Sequence, residues 1–256
     1  MLEEIKKFKD LIVNWLMIFI IGGIFFFFFS FTTTEIFGYQ IYTPSISGDS
    51  LAVIFFKMMQ EDLLPSSVIL VATGPLSALN TQTVVAFLMS FLLTFPYLLY
   101  KLVKYISPAM YKKEKTMLLA VLLPVILLFV GGSIFSYKYV IPQTFKALYS
   151  YTSNIGVMAI FSMDDFVATV VTFLVVSGVL FLMPIFMAIL SLLGIVSYSF
   201  WWDKWRYSQL IFLVFSAIIT PDGSGVSMIL LSLPLIGLYT VGAGVAQFLT
   251  KRKHFN

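Results

Sequence analysis

The chain has 256 residues, 60% of them hydrophobic and 11% charged, with a mean hydropathy of +0.98; no soluble domain clothes its surface with so few polar groups, so this is an integral membrane protein. It has no cysteine and a single histidine, His254, which excludes a disulfide framework, a thiolate zinc site, a cysteine nucleophile and a histidine metal cluster within one chain. The formal charge of +4 matters less than where the lysines sit.

Met1 to Asp10 is a charged, helix-favouring lead into Leu11–Phe31, a run of 21 residues without a charge. At ~1.5 Å per residue it crosses a ~30 Å hydrocarbon core. A cleaved signal peptide is the competing reading, but the run is long for such a segment and no small-residue cleavage site follows Phe25 to Phe29. Residues 32–83 are too rich in proline, serine and charge for a span and are expected to form an outer loop. Within it, Asp49 or Ser50 can cap an amphipathic helix whose apolar face is Leu51, Ile54, Phe55 and Met58, with Lys57, Gln60 and Glu61 opposite and Pro65 beyond its end. Such a helix lies on the membrane or on the other helices.

Gly74-Pro75 precedes the second span, residues 84–103, which leads into PYLLYKLVKYISPAMYKKEK (96–115). Pro96 and Pro108 each remove a backbone donor and restrict the residue before them, kinking the span near its end and stopping it at Ser107. Tyr97, Tyr100 and Tyr105 suit a membrane interface. Lys101, Lys104, Lys112, Lys113 and Lys115 crowd the junction, and Glu114 stands alone among them as a local neutraliser or a hook for a cationic ligand.

The third span is predicted at 116–137, a second outer loop at 138–163 with a cap at Ser162 or Asp164, and the fourth span at 166–190, closed by Gly194-Ile195. Ser197 to Arg206 holds three interfacial tryptophans, Trp201, Trp202 and Trp205. The fifth span, 207–220, has 14 residues. That is ~21 Å of helix, short of the core unless the bilayer thins. A turn at Thr220-Pro221-Asp222-Gly223, where Asp222 is as much a turn residue as a functional one, precedes the sixth span at 226–249 and a basic tail.

With both termini cytoplasmic, thirteen of the sixteen basic residues lie inside and only Lys57, Lys138 and Lys146 outside, as the positive-inside rule requires of six spans. No ionisable residue falls mid-span, where insertion would cost ~2.5 to 3.5 kcal/mol, which weakens an ion-coupled transporter reading. No phosphate loop or metalloprotease motif is present, so no enzyme is expected.

Several stretches together resemble one family. Pro96, Tyr100, Tyr105, Pro108, Ala109, Tyr111 and Glu114 fall at the spacings of a P-x-x-x-Y-Q-x-W-x-F-x-x-P-G/A-L-Y-x-x-E-R/K junction, with Lys101 for the glutamine and Val103 for the tryptophan. Leu2, Glu4, Ile5 and Lys6 fit L-x-E-L-R with lysine for arginine, while Phe129, Gly132, Phe135, Tyr137 and Pro142 fit F-x-x-G-x-x-F-x-Y followed by proline. Gly178, Phe181 and Pro184 fit G-x-x-F-E-x-P, and Pro234 with Tyr239 fits P-x-x-x-L-Y. From Leu2 to Tyr239 the chain is similar to the TatC family, the multi-spanning receptor subunit of the twin-arginine (Sec-independent) protein translocase.

The resemblance implies an all-α integral membrane protein: a single domain (1–256) of six transmembrane helices in a glove-shaped bundle, with an outer cap containing the amphipathic helix. It implies a plasma-membrane protein without a nucleotide or metal cofactor. Its expected partners are twin-arginine signal peptides, single-span TatA/TatB-type proteins, lipid and a further copy of itself, and not nucleic acid. Glu4, Lys6, Tyr105 and Glu114 are the expected signal-peptide residues, and Lys101, Leu182 and Asp222 take partner-binding or structural roles. Glu4 as a residue facing its helix dipole and Glu114 as a partner of nearby lysines remain the plainer alternatives. The departures are Leu182 and Lys101, where the family keeps Glu and Gln, and Ser77, where an outer-loop motif expects Glu. A small-molecule transporter or a membrane scaffold that kept the fold is the competing function.

Overall fold

A computed structural model describes residues 2–36, 39–45, 49–65, 68–106, 112–157, 159–220 and 225–254. The elements, in chain order, are α1 (Leu2–Phe28), β1 (Ser30–Ile36), β2 (Tyr39–Ser45), α2 (Leu51–Leu63), β3 (Ile69–Val71), α3 (Ser77–Ile106), α4 (Lys112–Phe135), a π-helical turn (Ser136–Val140), α5 (Ile141–Asn154), β4 (Ile160–Ser162), α6 (Met163–Leu180), α7 (Met183–Leu192), α8 (Tyr198–Asp203), α9 (Trp205–Ile219) and α10 (Val226–His254). Among the described residues five helical stretches are long and apolar enough to cross a membrane, Lys6–Phe28, Ser77–Leu102, Leu122–Asn154, Met163–Leu192 and Val226–Lys251, and the shorter apolar helix Trp205–Ile219 stands where the sixth span is expected. The chain forms two compact units, Met1–Leu122 with Ala159–Val171, and Leu123–Met158 with Thr172–Asn256.

The first unit is built on α1 packed against α3. Ser90 Oγ donates to Phe19 O at 2.7 Å, Trp15 Nε1 to Thr94 O at 3.2 Å and Gln82 Nε2 to Phe27 O at 3.1 Å. Contacts that ascend α1 descend α3, so the two helices are antiparallel. Gly22 lies where a Cβ would run into Ser90, and Gly23 where one would meet the Phe87 ring at 2.6 Å. Lipid tails are as apolar as leucine, so small residues that let backbones approach, and hydroxyls that satisfy carbonyls, hold such pairs together.

Around this pair sit the outer elements. The segment after α1, expected to be loop, forms an antiparallel hairpin from Ser30↔Ser45 to Ile36↔Tyr39. Its Thr, Ile and Tyr content favours strand, and Pro44 is tolerated because both strands are edges. The amphipathic helix is present as α2, with Ser50 Oγ accepting from Val53 N–H, Gln82 Nε2 donating to the same hydroxyl at 2.9 Å, and Lys57 paired with Asp49. Its buried face differs from the expected one: Ala52, Met59 and Leu63 are buried, whereas Ile54 and Met58 are exposed. Residues 51–59 are apolar on nearly every side, so helical periodicity admits two faces, and the Phe56 ring set edge-on to Phe166, 5.9 Å away, belongs to the one used.

Short strand β3 pairs in parallel with β4. Beside them Ser77 Oγ donates to Asp164 Oδ2 at 2.5 Å and Asn80 Nδ2 to Asp164 Oδ1 at 3.1 Å, which fastens the start of α3 to the start of α6. Asp164, expected as a cap for its own helix, thus has its carboxylate engaged by another.

In the second unit the segment read as an outer loop from 138 is helical to Asn154. Pro142 cannot donate to the carbonyl four residues back and would end a regular helix. The π-helical turn ahead of it absorbs the mismatch, with Ile141 N–H reaching Ser136 O five residues back. The fourth span is broken at Phe181–Leu182, where Pro184 restarts the helix as α7. Ser133 Oγ and Ser136 Oγ donate to Phe129 O and Phe173 O, Thr144 Oγ1 donates to Ser227 Oγ at 2.9 Å, and Gly242 of α10 lies against Pro184 and Met187 of α7. Two of the tryptophans are tied inward: Trp201 Nε1 donates to Ser191 Oγ and Trp202 Nε1 to Gln247 Oε1, while Tyr239 Oη donates to Trp201 O.

Neighbouring glycines in α4 give a controlled test. A Cβ on Gly132 would sit 2.6 Å from Phe181 Cγ and 2.8 Å from Ser177 O, while one on Gly131 meets nothing within 4 Å. Gly132→Ala is expected to cost about 1 to 3 kcal/mol and Gly131→Ala nothing or a slight gain. Thermal unfolding of the two variants in detergent checks this; equal midpoints would contradict the packing.

Candidate functional site

The antiparallel pairing brings the start of α1 to the end of α3. There the Phe8 ring lies against the Tyr105 ring, centroids 5.5 Å apart and tilted by 51°. One turn further back along α3, Lys101 Nζ stands 5.3 Å from the centroid of the Tyr97 ring, a cation–π contact. Lys101 and Tyr105 are half-buried and Lys6 is exposed. The aliphatic stem of Lys101 therefore lies on the helix while its charge is held near the end of the span, and it has no carboxylate partner among the described residues.

Glu4 is in the first turns of α1, four residues before Phe8, and Glu114 is the third residue of α4. The side chains of both lie outside the described residues, as do residues 107–111 between α3 and α4, which include Pro108, Ala109 and Tyr111. Asp222 also falls outside the described residues. Of the expected recognition residues, the structure thus joins Tyr105 to the α1 turn that follows Glu4 and Lys6.

Leu182 belongs to the second unit and sits at the break between α6 and α7, 2% exposed. A side chain so enclosed packs against its own chain. A glutamate there would have to find a hydrogen-bond partner inside the unit or leave a carboxyl unsatisfied.

Lys101, Tyr105 and the α1 turn of Glu4 and Lys6 sit at one end of unit 1, and hydrogen bonds along α3 secure that arrangement through Ser77 and Asp164, which the sequence names, and through Ser90, Trp15, Gln82 and Asn80, which it does not. Ser90, Trp15 and Gln82 join α3 to α1, and Asp164 with Ser77 and Asn80 joins α3 to α6. The available signal was the polar run Asn80-Thr81-Gln82-Thr83 at the head of an apolar span, which needs partners once the span is in place. No group of His, Cys, Asp or Glu among the described residues could hold a metal ion.

This is a multi-spanning α-helical membrane protein whose first two spans form a hydrogen-bonded pair with an aromatic and basic end. Its overall architecture matches two solved structures of the twin-arginine translocase receptor TatC, with TM-scores of 0.76, at 24% and 25% identity, covering 96% and 95% of this chain and 99% of each of those. The chain belongs to the family of the Sec-independent protein translocase protein (TatC), whose model matches residues 2–234. Similar curated relatives are the Sec-independent protein translocase proteins TatC of Cenarchaeum symbiosum, 32% identical over 87% of this chain and 85% of that protein, and of Aquifex aeolicus, 29% identical over 80% and 88%.

The ring contact can be tested directly because the chain has no native cysteine. Phe8→Cys combined with Tyr105→Cys is expected to join rapidly with a short thiol-to-thiol linker, whereas Phe8→Cys with Leu79→Cys, at the far end of α3, is not. Equal yields, read as gel mobility after cleavage of the intervening chain, would contradict the antiparallel arrangement.

Proposed function

We propose that this chain is the receptor subunit of a twin-arginine translocase, binding the signal peptides of folded export substrates at its cytoplasmic face and acting by binding rather than catalysis. The observation that carries this reading is the family match over residues 2–234. Glu4 and Glu114 grip the guanidinium pair of the signal, each through charge-assisted hydrogen bonds contributing about 1.5 to 3 kcal/mol. Tyr105 and the stem of Lys101 offer half-buried apolar surface for the residues beside the arginines, and Lys6 sets the local charge.

The basic residues favour a plasma-membrane orientation with both termini cytoplasmic. The hairpin, α2 and the β3–β4 pair then lie outside. Single-span TatA/TatB-type partners dock on lipid-facing helix surfaces. With Leu182 enclosed, their grip comes from elsewhere than the position where the family keeps its intramembrane Glu.

Glu114→Ala should weaken photocrosslinking to a twin-arginine peptide about tenfold, and the double variant with Glu4→Ala further, with insertion and thermal stability unchanged because little packing is lost. Unaltered crosslinking in the double variant would overturn the assignment. Orientation is checked separately: single cysteines at Lys113 and His254 are expected to label only from the cytoplasmic side, and cysteines at Ser45 and Ser153 only from outside.

A further inference from the structure

At the start of α9 the second unit carries a groove of about 570 Å³ lined by Trp202, Asp203, Trp205, Arg206, Tyr207 and Leu210. Trp202 is tied to Gln247, but the charges of the groove are not used by the fold: Arg206 and Asp203 are both exposed, and among the described residues neither is ion-paired. Trp205 lends its ring to the wall, while its Nε1 is buried away from the groove and has no acceptor among the described residues. The neighbouring cation is otherwise engaged, with Lys204 Nζ held 5.3 Å from the centroid of the Tyr207 ring. One guanidinium and one carboxylate, neither ion-paired among the described residues, therefore share a cleft with aromatic walls.

The place of this groove says what fills it. Helix α9 has 15 residues. That gives ~22 Å of helix against a hydrocarbon core of ~30 Å, so the headgroup layer must be drawn in toward the ends of α9. Tyr207 and Leu210, 66% and 65% exposed, continue the groove down the helix as an apolar track. The occupant thus needs a phosphate, a hydrogen-bonding cation close to that phosphate, and a hydrocarbon chain leading away from both.

We propose that the groove binds the headgroup of an aminophospholipid. The phosphate accepts from the Arg206 guanidinium, the primary ammonium donates to the Asp203 carboxylate, and the first methylenes of an acyl chain lie over Tyr207 and Leu210. A headgroup with negative charge alone would meet Asp203 unfavourably. A trimethylammonium headgroup has no N–H to donate to it. The bound lipid holds the headgroup layer down to the short span, which makes it a structural ligand of α9, and this role is independent of signal-peptide binding.

The test is native mass spectrometry of the full chain, delipidated and then offered phosphatidylethanolamine, phosphatidylglycerol, phosphatidylcholine or inorganic phosphate. The wild-type chain is expected to retain one phosphatidylethanolamine about fivefold better than either other lipid, and no inorganic phosphate. Arg206→Gln should reduce retention of every lipid. Asp203→Asn should abolish the preference for phosphatidylethanolamine over phosphatidylglycerol while phosphate-dependent retention persists. Circular dichroism spectra matching the wild type establish that the variants fold. Equal retention of the three lipids, stronger retention of phosphatidylglycerol, or a preference that survives Asp203→Asn would each overturn the proposal.

Discussion

The hydroxyl of Ser90 donates to the backbone carbonyl of Phe19 where Gly22 leaves room for it, and the first unit depends on that close approach. In a bilayer no hydrophobic driving force brings two apolar helices together, so a pair forms where backbones can touch and polar groups find partners. Ser90 is completely buried, and its hydrogen bond is the kind that lipid cannot replace. Trp15 with Thr94 and Gln82 with Phe27 repeat the arrangement on either side, which fixes the rotation and register of α1 on α3. Register matters because it decides which residues meet at the far end. With α1 fixed, Phe8 meets Tyr105, and the helical turn holding Glu4 and Lys6 is carried to the end of α3.

The second unit solves a different problem, the accommodation of prolines inside long apolar helices. Pro142 is preceded by a wide π-helical turn, so a continuous span of helix reaches Asn154. Pro184 is handled by a break, with Leu182 enclosed at the point of interruption. Within the same unit, serine hydroxyls donate to carbonyls of their own and neighbouring helices. The polar chemistry of this unit is thus spent mostly on its own backbone, while Asp203 and Arg206, not ion-paired among the described residues, gather at the start of α9.

The sequence was most legible where one signal decided the outcome. Uninterrupted apolar runs marked α1 and α10, the brevity of α9 followed from its length, and Ser50 was one of two named caps for α2. It was least legible where local rules competed. Apolar residues on almost every side of α2 hid which face is buried, and the helix continuing past 137 went unread because a π-helical turn has no composition of its own. The hairpin was masked by Pro44 and by polar threonines, which suit edge strands as well as loops. At the candidate site, Tyr105 was found by its spacing, but its contact with Phe8 follows from the register of two helices about 80 residues apart in sequence at Trp15 and Thr94, which no local pattern encodes.

If the α1–α3 seam positions the recognition end, disturbing it at a distance should disable recognition. The most direct measurement is equilibrium binding of a twin-arginine peptide and its twin-lysine counterpart to the wild-type chain and to Gly22→Val in nanodiscs. The added side chain would collide with Ser90 yet lies roughly 25 Å along α1 from Glu4 and Lys6, proposed to hold the peptide. The account predicts that the wild type binds the arginine peptide in preference to the lysine peptide and that Gly22→Val, still inserted and helical, loses that preference. A variant that kept full discrimination would contradict it.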